Sequence, residues 1–263
     1  MPPVTIATLV GRRESNTPFS CLTAYDATMA RLIEEAGIDV VLIGDSLGMV
    51  MQGHSSTLYV TVDDIAYHTR CVARAIRRPL IIADLPFMAD TSLEQLLRAS
   101  GTLMQAGAQM IKIEGGAWRH AAIAELTQRG VPVCAHLGLT PQHINSLGGY
   151  RVQGRDPDAA RQISDDALAL ETAGAAVVLL ECVPAALAQQ VRDALTVPVI
   201  GIGAGPDVDG QILVIQDLLG MTGEKAPRFV KDFLKGEESI QEALAAYHDA
   251  VISRSFPEEE HCF

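Results

Sequence analysis

The chain has 263 residues, 48% of them hydrophobic and 20% charged, a balance that is typical of a compact α/β protein rather than a disordered one. Its net charge of −12 argues against nucleic acid as a partner, because nucleic-acid-binding proteins concentrate lysine and arginine into a phosphate-facing patch. No apolar run approaches the roughly 20 residues that a membrane span requires, so we expect no membrane insertion.

The cysteines and the first residues indicate the compartment. Five widely spaced cysteines form no CxxC pair and lie mostly in apolar runs, which favours small buried thiols over disulfides or a zinc site. The segment "MPPVTIATLVGRRESN" lacks the long apolar core of a signal peptide. We therefore expect a cytoplasmic protein.

Short β-branched runs alternate with segments of helical periodicity along the chain. The runs predict eight strands, at 19–25, 40–44, 80–84, 110–114, 131–136, 176–181, 197–203 and 212–217. Between them, apolar residues at helical spacing predict helices at 27–37, 92–107, 118–130, 159–174 and 184–195. A further amphipathic helix is predicted at about 237–256, beyond the eighth strand, where it would either cap the fold or reach a neighbouring subunit.

Apolar strands that alternate with helices predict a parallel sheet covered on both faces, either an open doubly wound sheet or a closed barrel. An open nucleotide-binding sheet would carry a glycine fingerprint after an early strand. The nearest candidate, "GIGAGP", comes late and has Pro206 where the third glycine belongs. Eight units favour a (β/α)8 TIM barrel, and we predict one such domain over 1–263, including the additional C-terminal helix.

Two connections are too long to be simple turns. They span 45–63, after the second strand, and 137–157, after the fifth. Both follow the carboxyl ends of strands, where barrel active sites lie, so a functional role is favoured over surface elaboration.

Charged residues stand at the ends of three successive strands. Asp45, followed by Ser46, comes after the second strand, and Asp84 ends the third. Because side chains alternate along a strand, Lys112 and Glu114 of the fourth strand share one face, and the isoleucines between them suit the helix layer. Lys112 and Glu114 then point into the barrel, where an unpaired charge is costly and a partner is required.

The three acids predict a metal site. Carboxylates on neighbouring strand ends can close on one cation, and hard oxygen ligands without a nearby cysteine favour Mg²⁺. Each aspartate could instead cap the loop or helix that follows it. Three acids and a lysine on three successive strands are harder to explain as caps.

Two more polar residues end later strands. Glu181 ends the sixth strand among apolar residues, where it is a candidate general base or one member of a buried ion pair. His136 ends the fifth strand, and it could bind a substrate carboxylate, shuttle a proton or serve a structural role.

Short motifs in the same order as in one known family run from near the start to the end of the chain. They are "TAYD" (23–26), "GDSLGM" (44–49), "QGHSST" (52–57), "ADLPFM" (83–88), "KIEGG" (112–116), "HLGLTPQ" (136–142), "GGYRVQG" (148–154), "LECVP" (180–184), "GIGAG" (201–205), "DGQILV" (209–214) and "EEHCF" (259–263). The sequence thereby resembles ketopantoate hydroxymethyltransferase, the 3-methyl-2-oxobutanoate hydroxymethyltransferase of pantothenate synthesis. Arg151 stands where the family commonly has lysine, and Cys262 where it commonly has serine.

The resemblance implies a TIM barrel assembled as a homodecamer. It also implies transfer of a one-carbon unit from 5,10-methylenetetrahydrofolate to 3-methyl-2-oxobutanoate, giving 2-dehydropantoate through a Mg²⁺-stabilised enolate. Tetrahydrofolate is the second product.

Residue roles follow from the same resemblance. Asp45 and Asp84 would ligate Mg²⁺ beside the bound keto acid, and Glu114 would act on the metal directly or through water. The remaining roles would be keto-acid binding by Ser46 and Lys112, and proton abstraction by Glu181. From their positions at strand ends, we also expect Asp45, Asp84 and His136 to contact the keto acid.

Two other functions compete with this one. A Mg²⁺-dependent C–C lyase of the isocitrate lyase kind also chelates an α-keto acid, but such enzymes usually carry a "KKCGH"-like loop, which is missing from this sequence. A non-catalytic binding protein is disfavoured, because each proposed catalytic position holds a chemically competent residue.

Overall fold

The computed structural model describes residues 2–222 and 226–263, in which eight parallel strands close into a barrel. Each strand pairs with its neighbours in chain order, and the eighth pairs with the first. The predicted (β/α)8 architecture is therefore confirmed. The strands are β1 (Phe19–Thr23), β2 (Val40–Ile43), β3 (Leu80–Asp84), β4 (Met110–Glu114), β5 (Val133–Gly138), β6 (Val177–Glu181), β7 (Val199–Ile202) and β8 (Gly210–Leu213).

Helices surround the barrel and cover its outer face. Nearly all strand residues are buried, because the barrel interior covers one face of each strand and the helices cover the other. The helices of the described residues are α1 (Ile6–Glu14), α2 (Ala27–Glu35), α3 (Leu47–Val50), α4 (Val62–Ala75), α5 (Leu93–Ala106), α6 (His120–Gln128), α7 (Ile144–Leu147), α8 (Pro157–Thr172), α9 (Ala185–Ala194), α10 (Ile215–Leu218) and α11 (Ile240–Ile252).

The eighth strand differs most from its prediction. It was expected at 212–217, but it begins at Gly210, and the apolar run continues into α10 rather than along the strand. A short apolar run does not distinguish a strand from a buried helix, and Gly210 packs against the ring of Phe19 in β1, a contact that its own sequence does not reveal. The two long connections also contain short helices, α3 and α7.

The C-terminal helix α11 packs against β1 and α2. The hydroxyl of Tyr247 on this helix lies within hydrogen-bonding distance of the carbonyls of Cys21 and Gln211, at 2.9 and 2.8 Å, and its single hydrogen is shared between them. These carbonyls lie on β1 and β8, so the helix covers the seam where the barrel closes. Within residues 2–222 and 226–263, none of the helices combines the length and apolar character needed to span a bilayer.

A buried carboxylate ties α1 to the amino end of the barrel. Asp39, directly before β2, is fully buried and pairs with Arg12 at 2.9 Å and with Arg78 at 2.6 Å. Arg12 contacts both carboxylate oxygens. This cluster lies at the end of the barrel opposite the strand carboxyl ends, where a contribution to stability rather than to catalysis is expected.

Replacing Asp39 with asparagine will lower the free energy of unfolding by about 3 kcal/mol, because two partly buried guanidinium groups lose their counter-charge. Denaturation by urea measures this loss. The matched control is Asp193→Asn, since Asp193 is 59% exposed and pairs with Arg192 at 3.2 Å. The control should cost less than about 1 kcal/mol. Equal losses in the two variants would contradict a stabilising role for the Asp39 cluster.

Candidate active site

A cavity of about 1060 Å³ opens at the carboxyl ends of the strands. Parallel strands bring their carboxyl ends to the same side of a barrel, so polar residues that are far apart in the sequence meet there. All seven residues selected from the sequence line this cavity, namely Asp45, Ser46, Asp84, Lys112, Glu114, His136 and Glu181.

These seven residues form what we call the cavity floor, and Lys112 carries positive charge there. The register of β3 and β4 sets it opposite Asp84, and its Nζ donates to the two oxygens of Asp84 at 2.6 and 2.8 Å. Nζ also lies 3.5 Å from Oε1 of Glu114. Burial lowers the pKa of Lys112, but the surrounding carboxylates outweigh burial and raise it above its usual value. Lys112 is therefore a permanent cation. Asp84 and Glu114 are the partners that its inward position requires.

Asp45 lies beside Asp84, and its backbone N–H donates to Oδ2 of Asp84 at 3.1 Å. Neither aspartate caps a helix, because α3 begins after Ser46 without a side-chain cap and α5 is capped by Ser92. Burial raises the pKa of Asp45 well above its usual value, and repulsion from Asp84 and the nearby Glu114 raises it further. The pair thus concentrates more negative charge than the surrounding residues neutralise.

His136 connects two acids across neighbouring strands. Its Nδ1 lies 3.2 Å from Oε1 of Glu114, and its Nε2 lies 3.2 Å from Oε2 of Glu181. Both are charge contacts rather than aligned hydrogen bonds. Burial and the nearby Lys112 lower the pKa of His136, but the two carboxylates outweigh them and raise it to about 9. The expectation of apolar surroundings for Glu181 was therefore incomplete.

Glu114 is the most strongly stabilised anion of the floor. Burial raises its pKa, yet Lys112, His136 and the backbone N–H of Gln142 outweigh burial and lower it to about 2. That N–H donates to Oε2 of Glu114 at 3.0 Å. Glu114 therefore stays ionised throughout the physiological pH range.

The donors on the floor fit a hard divalent cation in charge and in chemistry. Four carboxylates, those of Asp45, Asp84, Glu114 and Glu181, face two cationic groups, those of Lys112 and His136, which leaves two negative charges uncompensated. Oxygen donors without a thiolate suit Mg²⁺. In the described residues, no three His, Cys, Asp or Glu side chains form a ready-made metal site. Ligation by Asp45, Asp84 and Glu114 accordingly stays a prediction.

Two residues of the site were not assigned roles from the sequence. The side chain of Gln142, in the turn after β5, donates to Oδ2 of Asp45 at 2.9 Å. Tyr25 is buried after β1, and its hydroxyl lies 2.8 Å from Oγ of Ser46. Both residues fall within quoted motifs, "HLGLTPQ" and "TAYD", but no periodicity or spacing relates them to the residues that they contact.

Apolar and aromatic side chains line the cavity outside the charged cluster. The hydroxyl of Tyr150 donates to the sulfur of Met49 at 3.3 Å, which joins the two long connections above the floor. Phe229 and Phe263 line the same space. A volume of about 1060 Å³ is large for a site that binds one small molecule, so the cavity has room for more than one ligand.

A closed (β/α)8 barrel with an acid–lysine–histidine cluster at the carboxyl ends of its strands defines an enzyme of the TIM-barrel class. Solved structures share this fold. Phosphonopyruvate hydrolase in complex with oxalate and Mg²⁺ is 17% identical, with a TM-score of 0.64 over 94% of this chain and 95% of that one. 2,3-Dimethylmalate lyase, a PEP mutase/isocitrate lyase superfamily member, is 20% identical, with a TM-score of 0.58 over 83% and 84%.

Sequence comparison defines the family. The family model for ketopantoate hydroxymethyltransferase matches residues 3–259. The 3-methyl-2-oxobutanoate hydroxymethyltransferase of Chromohalobacter salexigens is 62% identical over the whole of both chains. That of Marinobacter nauticus is 56% identical over 99% of this chain and 98% of its own. The chain belongs to the ketopantoate hydroxymethyltransferase family, as the motifs indicated.

Proposed function

We propose that this chain transfers a hydroxymethyl group from 5,10-methylenetetrahydrofolate to 3-methyl-2-oxobutanoate, forming 2-dehydropantoate for pantothenate synthesis. The observation that carries the proposal is the match to named relatives over the full length of both chains. The cluster of acids, lysine and histidine at the strand ends supports it, because the reaction needs a base and a site for an anionic keto acid.

Some residues of the cavity floor would hold the metal, and others would bind the substrate. Asp45 and Asp84 would hold Mg²⁺, with Glu114 acting on it directly or through water. A bound Mg²⁺ would polarise the ketone of the keto acid as a Lewis acid. Lys112 contributes the positive charge that lets an anionic substrate enter a site otherwise lined by carboxylates.

The remaining residues bind the keto acid and move its proton. Ser46 and His136 would donate hydrogen bonds to the oxygens of the keto acid. The hydroxyl of Tyr25 forms a hydrogen bond with that of Ser46 and so fixes its position. Glu181 would accept the proton from C3 of the keto acid. The enolate carbon then bonds to the methylene carbon of the folate, one of whose two C–N bonds breaks. Water displaces the second nitrogen from the same carbon, which releases tetrahydrofolate and the hydroxymethylated keto acid.

We further propose that the protein works in the cytoplasm as a homodecamer, with the folate bound in the outer cavity. Free thiols at all five cysteines suit a reducing compartment. The apolar wall near Tyr150 suits a flat aromatic ring, since such rings bury large apolar areas.

Deuterium exchange tests the first half of the reaction. We expect the C3 proton of 3-methyl-2-oxobutanoate to exchange in D₂O with the protein and Mg²⁺, without folate. Addition of 5,10-methylenetetrahydrofolate should then yield 2-dehydropantoate, as followed by NMR. Absence of product with both substrates and Mg²⁺ would refute the transferase function, and cleavage of an α-keto acid would favour the alternative Mg²⁺-dependent lyase.

Replacing Gly138 with alanine should lower kcat by about 10²-fold, because displacing a catalytic group by about 1 Å costs this much. Gly138 ends β5 with φ of +89°, and an added Cβ would overlap the carbonyl oxygen of Glu181. Gly148→Ala is the matched control. Gly148 has a similar φ of +69°, but a Cβ added there would meet no atom of the described residues within 4 Å, its chain neighbours aside. If both variants lose the same activity, backbone strain alone explains the effect.

A further inference from the structure

Gln142 is an uncharged residue buried between three strand ends. It lies in the turn Pro141–His143 that follows β5, and only 6% of it is exposed. Its Nε2 donates to Oδ2 of Asp45 and to the carbonyl of Leu85, both at 2.9 Å. Its backbone N–H donates to Oε2 of Glu114 at 3.0 Å. One residue thus contacts the ends of β2, β3 and β4.

The contacts of Gln142 determine which carboxylate oxygens stay available. Both hydrogens of its amide group are used, one on Asp45 and one on a backbone carbonyl, so the amide cannot rotate without losing a bond. Oδ2 of Asp45 is thereby fixed, while Oδ1 has no hydrogen bond in the described parts of the chain. The N–H of Gln142 also holds Oε2 of Glu114, but Oε1 of that residue already faces Lys112 and His136. A carboxylate held at one oxygen presents the other in a defined direction.

We propose that Gln142 is a positioning residue that orients the carboxylate of Asp45 toward a divalent cation. The inference rests on the proposed function, because it concerns the cation that Asp45 and its neighbouring acids would hold. Hydrogen-bond partners of ligating carboxylates commonly tune metal affinity by about 10- to 100-fold.

The type of side chain matters at this position. Glutamate would set a third negative charge against Asp45 and would lose both donors, whereas asparagine is one methylene shorter and could not keep both bonds. Methionine has nearly the same length and volume as glutamine but offers no N–H. Gln142→Met therefore removes the orienting bonds while largely keeping the packing.

A purely structural role is the competing explanation. The bond to the carbonyl of Leu85 would by itself attach the turn after β5 to the end of β3. Loss of that bond would lower stability without changing metal affinity. The two explanations therefore differ in the dissociation constant for the cation.

Calorimetric titration with Mg²⁺, and with Mn²⁺ followed by electron paramagnetic resonance, measures this constant in the full chain. For Gln142→Met we expect Kd to rise about 10- to 100-fold, and excess Mg²⁺ to restore much of the C3 exchange. The matched control is Gln190→Met, because Gln190 lies exposed on α9 and should leave Kd unchanged. Gln142→Leu provides a second variant without a donor if the methionine variant does not fold.

An unchanged Kd in a folded Gln142 variant, together with lower thermal stability, would overturn the inference and leave the proposed function intact. If the native protein binds neither cation, the metal-dependent part of the proposed function fails, and the role of Gln142 fails with it. Weaker binding in both donor-free variants and native affinity in the control would support the inference.

Discussion

Glu181→Gln will lower C3 exchange and kcat by about 10²- to 10⁴-fold, because glutamine keeps the shape of the side chain but cannot accept the proton. NMR in D₂O measures the exchange at saturating keto acid and Mg²⁺. Binding of the keto acid itself should change little, since the other residues of the floor remain.

The position of Glu181 distinguishes it from the other acids of the site. Its side chain is 15% exposed and lines the cavity, whereas those of Asp84 and Glu114 are buried and paired with Lys112. A base must reach the substrate, so an acid that is partly exposed to the cavity is better suited to the role than one that is fully buried. His136, 3.2 Å away, holds one oxygen of Glu181 and leaves the other available for the proton.

The control for this variant is Glu94→Gln, since the side chain of Glu94 is 73% exposed and pairs with Arg98 on α5. It should keep native exchange. Native exchange in Glu181→Gln would assign the base to another group and remove the proposed mechanism.

Lys112→Met should weaken keto-acid binding about 10- to 100-fold, the size of a lost hydrogen bond to a charged group. Without the ammonium, three carboxylates and a divalent cation carry a net negative charge, and an anionic substrate is repelled. Metal binding should be unchanged or tighter, because the same carboxylates then lack a competing cation. Separate titrations with Mg²⁺ and with keto acid in the presence of Mg²⁺ measure the two constants.

The same variant has a second consequence for stability. Lys112 neutralises Asp84 at 2.6 Å, so its loss leaves a buried carboxylate unpaired and should cost about 3–5 kcal/mol in the absence of metal. Mg²⁺ should restore part of this loss, as judged by urea denaturation. Lys231→Met, at a partly exposed pair with Glu258, is the matched control and should change neither constant. Equal weakening of metal and keto-acid binding by Lys112→Met would contradict its proposed role.

Much of the fold could be predicted from local pattern. β3 and β4 have the predicted bounds, 80–84 and 110–114, because each is a short buried run whose ends are marked by a charged residue. β5 was predicted at 131–136 but spans Val133–Gly138: it begins after Pro132, which has no N–H to donate to a neighbouring strand, and it continues past His136 to Gly138. Boundaries depend on pairing with neighbouring strands, and pairing is not encoded in one run.

The sequence by itself determined the class of fold and the residues that line the site. Alternation in β4 places Lys112 and Glu114 on one face and the isoleucines on the other, because successive side chains of a strand point to opposite faces, and the isoleucines suit the helix layer. An apolar strand that ends in an acid likewise predicts a polar group at the carboxyl end of a barrel. Such patterns involve only residues close together in the chain, so they can be read without coordinates.

Only the tertiary structure decided which of these residues touch. The pairing of Asp84 with Lys112, the position of His136 between Glu114 and Glu181, and the contacts of Gln142 all depend on how strands and loops are staggered around the barrel. That stagger is fixed by packing of the whole molecule, since a shift of one residue between strands would exchange every inward and outward side chain. The sequence therefore indicated the chemistry of the site, and the closed barrel determined its geometry.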